Sequence, residues 1–289
     1  MKFVKKLIDF YLYSSIHIAV GAALSIILCY AVLVHIPTSD YPIFVFAATL
    51  FLYCSHRIIG IKTVEKFEHE GRYAVIKKYK VHIILYAILG GIGSVILYFY
   101  LPFIMKLWLI APAIVSLFYV LPIFSNHKRL RDIGLIKIFL ISIIWALIIG
   151  VIPYVEAKGT LDGLGILFAL EKAIFIFAIT LPFDARDLIV DDANAVKTIP
   201  ATIGIDNAYK AAYFLMAAVM IIVVSLYALG LYSGGVTIAL IIGYLITSLA
   251  IKLSKGKKDD YYYSGVLDGT IAFVAILGIA VSGILDVIF

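Results

Sequence analysis

Charge is scarce in this chain. Asp, Glu, Lys and Arg make up only 15% of its 289 residues, against 64% apolar, and the mean hydropathy is +1.09. Ordinary soluble domains carry about a quarter charged residues, so that class is excluded. Cysteine is scarcer still. Cys29 and Cys54 both fall inside apolar runs and offer neither a disulfide framework nor zinc-type spacing, so they read as packing residues. A cleavable signal is not expected either: Lys2, Lys5 and Lys6 precede a long apolar run with no small-residue cleavage site in a polar context behind it. The net charge of +6 does not point to nucleic acid, because the basic residues punctuate apolar spans and form no binding module.

What is present is a succession of apolar runs. Residues 1–13 are basic and aromatic, which predicts a short amphipathic helix lying at a membrane interface. Residues 10–39 carry no charge and end at Pro37-Thr38-Ser39-Asp40, enough for one crossing of about 20 residues. A second span runs from Tyr41 to Gly60, and a charged stretch follows to Lys80. Residues 81–105 give the third span, and the fourth ends near Leu121-Pro122, before the basic segment SNHKRLRD. Residues 138–155 give the fifth.

The sixth span is short, since only residues 173–183 are free of charge and they cover about half a bilayer. It extends either backwards through Glu171 and Lys172 or forwards. The forward extension is the expectation, with the aspartates beyond it lining a cavity within the membrane. Residues 211–251 form two spans turning at Ser233-Gly234-Gly235, and Lys252 to Asp260 closes the eighth. Tyr261, Tyr262 and Tyr263 fall where an aromatic belt belongs and open the ninth.

The predicted fold is all-α: a polytopic membrane helical bundle of about nine transmembrane helices in a single domain over residues 1–289. Its spans suggest pseudo-repeats over roughly 14–137 and 138–260, with a last helix over 261–289. Nine spans place 21 of the 24 Lys and Arg on the N-terminal side, leaving Lys106, Lys158 and Lys172 opposite. The positive-inside rule then predicts a cytoplasmic N-terminus and aspartate stretch and an outside C-terminus, in a bacterial or archaeal cell membrane.

The chemistry concentrates in FDARDLIVDDANAVKTIPATI, residues 183–203. Asp184, Asp187 and Asp191 are three and four apart, so a helix continuing through them stacks all three carboxylates on one face, with Asp192 pointing elsewhere. Such a cluster beside a bilayer calls for a counter-charge. Mg2+ is the candidate, because it takes oxygen ligands and is commonly held by one or two carboxylates plus substrate phosphates. The plainer meaning is a solvated loop at a helix end. Other candidates are His56, at the inner end of the second span, and Asp268, within the last span, where burial demands a partner. His17 and His35 lack metal-like pairing.

These residues resemble the UbiA-type intramembrane prenyltransferases. Asp184-Ala-Arg-Asp187-Leu-Ile-Val-Asp191 followed by Lys197-Thr198-Ile199-Pro200 is similar to that family's second aspartate-rich motif and the basic-Thr-Leu-Pro signature behind it. Tyr119 followed by Lys128-Arg129 resembles the tyrosine-and-basic stretch after the family's fourth helix, at a longer distance. The resemblance implies transfer of a prenyl group from a prenyl diphosphate to a hydrophobic acceptor, aromatic or lipid, with Asp184, Asp187 and Asp191 holding Mg2+. Arg57, Arg186, Lys197, Lys128 and Arg129 are the expected diphosphate contacts. Membrane lipids surround the bundle, and no protein partner is expected.

One departure is large. The family carries a further motif, NDxxDxxxD, at the end of its second helix, whereas this chain reads Tyr53-Cys54-Ser55-His56-Arg57-Ile58-Ile59-Gly60-Ile61-Lys62. Arg57 and Lys62 stand where carboxylates are usual, and Glu65 and Glu68 are possible displaced ligands. Two alternatives follow: a relative that keeps the fold and binds an isoprenoid without turnover, or a small-solute transporter, suggested by the repeat-like topology and a broken sixth helix.

Overall fold

Inside a bilayer the backbone has no water to bond, so apolar runs of this length must satisfy their own amides as helices. The computed structural model describes residues 2–36, 40–63, 71–121, 129–193, 196–256 and 260–283. Among them every regular element is helical, and nine helices are long and apolar enough to cross a membrane. The protein is a polytopic membrane helical bundle.

Helix α1 (Lys2–Tyr13) is short and exposes Val4, Leu7, Ile8 and Tyr11 along one side. The chain bends at Ser15, whose φ is 66°, into α2 (Ile16–Leu33). Then come α3 (Tyr41–Thr63), α4 (Gly71–Lys78), α5 (Lys80–Tyr100) and α6 (Phe103–Val120). The second half holds α7 (Ile136–Lys158), α8 (Gly163–Arg186), α9 (Leu188–Ala193), α10 (Ile199–Ile203), α11 (Ile205–Ala228), α12 (Gly234–Ser254) and α13 (Tyr262–Val281).

Helices α2, α7 and α8 lie centrally, while α5 and α6 turn residues such as Leu89, Ile92 and Phe103 outward, as a lipid-facing surface requires. Helix α2 packs on α3 and α13, and α8 packs on α7 and α11. The pairing of α3 with α5 is close because position 90 has no side chain: a Cβ there would lie 2.7 Å from the Ala47 carbonyl oxygen. Within α7 a π-turn spans Leu147–Val151. The Ile148 carbonyl accepts from the Tyr41 hydroxyl at 2.8 Å, and the Ile149 carbonyl from the Cys29 thiol. The Cys54 thiol donates to the Ser14 carbonyl, and both thiols are buried.

The sixth span departs from expectation. It gains its length backwards: α8 starts at Gly163, where the Asp162 carboxylate accepts the Gly165 amide at 2.8 Å, and runs unbroken to Arg186. Glu171 and Lys172 are inside it because they neutralise each other. Lys172 Nζ lies 2.6 Å from Glu171 Oε2, and the Tyr232 and Tyr244 hydroxyls donate to the same carboxylate. The ammonium also sits 4.3 Å from the Phe168 ring centroid. A sixth helix interrupted within the membrane, which suggested a transporter, is therefore absent. The tyrosine run is tied to the bundle through its hydroxyls: Tyr261 donates to Asp9, Tyr262 to the Ala250 carbonyl and Tyr263 to the Ser254 carbonyl.

Candidate functional site

The end of α8 decides how the aspartates are arranged. Asp187 closes the helix with φ −84° and ψ 2°, and its amide donates to the Phe183 carbonyl at 2.9 Å. The chain bends there before α9, so the three carboxylates do not stack on one face. Asp184 and Asp191 converge on the ammonium of Lys137, at the start of α7, with Nζ 2.8 Å from Asp184 Oδ1 and 3.2 Å from Asp191 Oδ2. All three side chains are buried. Asp187 instead meets Arg186, Nε to Oδ1 at 2.8 Å and Nη2 to Oδ2 at 3.0 Å. Arg186 also reaches Asp260 at 3.3 Å and lies over the Tyr263 ring.

This donor set does not fit a magnesium ion as it stands. Among the described residues no three His, Cys, Asp or Glu side chains are grouped to hold a metal. The two carboxylates that do converge already share an ammonium, and Mg2+ demands near-octahedral oxygen ligation at about 2.0–2.1 Å.

The opposite wall is basic. In the 3-10 turn Leu130–Asp132, Arg129 binds Asp132 through Nε and Nη2, each at 3.0 Å, and through its own amide at 2.9 Å. Burial opposes ionisation of Asp132, but these hydrogen bonds and the Arg129 charge hold its carboxyl below the usual range. Arg129 Nη1 is buried with no hydrogen-bond partner among the described residues. Arg131 Nη1 meets His56 Nε2, and its guanidinium lies 5.5 Å from the Tyr119 ring centroid. A guanidinium only donates, so His56 accepts at Nε2 and serves to orient Arg131.

The remaining sequence candidates fall in different places. Arg57 reaches the cavity wall, but its guanidinium donates to the Tyr13 and Leu12 carbonyls at 2.9 and 3.3 Å, fastening the bend between α1 and α2. Lys197 is exposed and lies off the cavity wall. Lys128, Glu65 and Glu68 lie outside the described residues. Asp268 lines the same cavity as Arg131 and Lys137, with Ser264 and Ile271 from its own helix. Lys137 and Arg131 were missed as site residues. Both follow Lys128 and Arg129 in the stretch behind the fourth span, where only those two are expected diphosphate contacts from the sequence.

These groups enclose a charged cavity of about 290 Å³. A second cavity of about 520 Å³ lies among α3, α5, α6 and α7, with Phe44, Phe51, Leu52, Leu109 and Ile148 in its walls. The two share Tyr53, His56, Tyr119, Arg131, Ile141 and Trp145. A polar chamber thus adjoins an apolar one, with a guanidinium and aromatic rings in the wall they share.

A helical membrane bundle with adjoining charged and apolar chambers is a class suited to amphiphilic ligands with a charged head and an apolar tail. The particular fold is that of the UbiA homologues. A UbiA homologue from Archaeoglobus fulgidus bound to DMAPP and Mg2+ superposes with a TM-score of 0.64 at 15% identity, over 97% of each chain. An apo UbiA homologue from Aeropyrum pernix K1 gives 0.59 at 17% identity, over 97% of this chain and 98% of that one. Digeranylgeranylglyceryl phosphate synthase gives 0.55 at 16% identity, over 98% and 99%. Neither a family model nor a curated protein sequence matches the chain.

Proposed function

We propose that the chain binds a prenyl diphosphate, diphosphate in the charged cavity and prenyl tail in the apolar one, and transfers the prenyl group to a hydrophobic acceptor. The wall common to the two cavities carries this proposal: Arg131 and the rings of Tyr53, Tyr119 and Trp145 line both the charged and the apolar space, as a junction between head and tail would require. The similar A. fulgidus structures, bound to DMAPP and Mg2+ and to GPP and Mg2+, support the substrate class.

In the transfer, the bond between the allylic carbon and the diphosphate oxygen breaks with its electron pair on the oxygen. Arg131 and the unpartnered Nη1 of Arg129 receive that charge through charge-assisted hydrogen bonds. The allylic cation left behind is faced by aromatic rings. The acceptor bonds to the carbon and gives up a proton, for which Asp268 is a carboxylate within the same cavity. Apolar walls keep water from competing for the cation.

A second reading, isoprenoid binding without turnover, draws on the pairing of Asp184, Asp187 and Asp191 with Lys137 and Arg186. One experiment separates the two. Geranyl diphosphate is titrated onto purified full-length protein, and diphosphate release is followed with a panel of aromatic and lipid acceptors. Acceptor-dependent release supports the transferase. Saturable binding with no release across the panel supports the second reading, and absence of binding overturns both.

A further inference from the structure

A buried lysine between two buried carboxylates is costly to assemble unless it replaces something the site needs. Lys137 Nζ bridges Asp184 and Asp191 at 2.8 and 3.2 Å, from a different helix and about fifty residues away in sequence. The ammonium donates a hydrogen bond to Asp191 and forms an ion pair with Asp184. We propose that Lys137 is a built-in counter-cation standing in the place of a bridging divalent metal, so that the site binds a prenyl diphosphate without one. The proposal rests on the prenyl diphosphate reading above.

Three observations carry it. The charged cavity is lined by five cationic side chains, Arg57, Arg129, Arg131, Lys137 and Arg186, and by five carboxylates, Asp132, Asp184, Asp187, Asp191 and Asp268, so before any ligand enters, Lys137 already supplies the positive charge that offsets the paired aspartates. The guanidinium of Arg129 is almost wholly buried, and its Nη1 has no partner, as expected of a donor awaiting an anion. Finally, a metal entering between Asp184 and Asp191 displaces a lysine that is only 7% exposed, and the displaced charge stays in a cavity already holding Arg129 and Arg131. Like charges confined to one poorly solvated cavity repel strongly.

The test uses the full chain in detergent, with geranyl diphosphate as the probe, titrated in EDTA and in Mg2+, and thermal unfolding followed under both conditions. The wild type binds with affinities within about threefold of each other, and Mg2+ leaves its unfolding midpoint in place. Lys137→Met strips two buried carboxylates of their partner. In EDTA it binds roughly tenfold to a hundredfold more weakly and unfolds at lower temperature, the scale expected for charge-assisted bonds. Mg2+ restores both. Lys137→Arg keeps EDTA-resistant binding, and together with the wild type it decides the matter even where the methionine variant does not fold. Wild-type binding that falls more than about tenfold in EDTA overturns the counter-cation proposal while leaving the prenyl diphosphate reading intact. Absence of binding under both conditions overturns that reading itself.

Discussion

Helix α8 carries a buried charged cluster towards each end, and the two are built differently. Towards its N-terminus, Glu171 is met by Lys172, Tyr232 and Tyr244, and none of these residues lines either cavity described above. Towards its C-terminus, Asp184 shares Lys137 with Asp191, and the wall beyond it holds Arg131 and an arginine nitrogen without a partner. The first cluster closes on itself and ties α8 to its neighbours. The second opens on space. Burial and ion pairing alone therefore do not mark a functional site; spare hydrogen-bonding capacity facing a cavity does.

The largest expected effect breaks the closed cluster. Lys172→Met leaves Glu171 buried without its counter-charge, and lowers stability by about 3–5 kcal/mol, read as detergent-phase unfolding. Geranyl diphosphate affinity of the folded protein stays at the wild-type value. A comparable loss of affinity would mean that the two ends of α8 are not separate in function. Next in size, Arg131→Ala weakens geranyl diphosphate binding by roughly tenfold to a hundredfold with little change in unfolding. Arg57→Ala does the reverse, because its guanidinium holds backbone carbonyls at the bend before α2. Equal effects of the two on affinity would return Arg57 to the diphosphate-binding role that its position in the sequence suggested.

The smallest effect concerns Asp132, whose carboxyl is held below the usual range in the folded protein. A depressed folded value adds stability that is complete above the unfolded value of about 3.9 and is lost as the pH falls through the folded one. The stability gap between wild type and Asp132→Asn should therefore narrow from pH 5 down to pH 3 in unfolding curves. A constant gap would assign Asp132 a purely steric part.

Much of the fold is legible because a hydrocarbon interior allows few solutions: charge-free runs such as 211–251 have to become helices. The sixth span resists for an electrostatic reason. Adjacent Glu171 and Lys172 look like an interruption in the sequence, and the hydroxyls of Tyr232 and Tyr244, some sixty or seventy residues away, which complete the burial of their ion pair, are not visible there. The site is legible in the same uneven way. The spacing of Asp184, Asp187 and Asp191 flags the region, but their stacking depended on a helix that ends at Asp187. Lys137 and Arg131 could be counted as positive charges, yet their partners Asp191 and His56 come from other helices.

The two thiols bear on experiment as well as on packing. Cys29 and Cys54 are both buried, and each donates to a backbone carbonyl, Cys29 at the π-turn and Cys54 at the bend before α2. A thiol so placed is shielded from water-borne alkylating reagents. The native chain is therefore a quiet background for reporter chemistry. A single cysteine introduced at Lys158 or Lys210 would be labelled against almost no competing signal, and intact cells would then reveal which end of the bundle faces the medium.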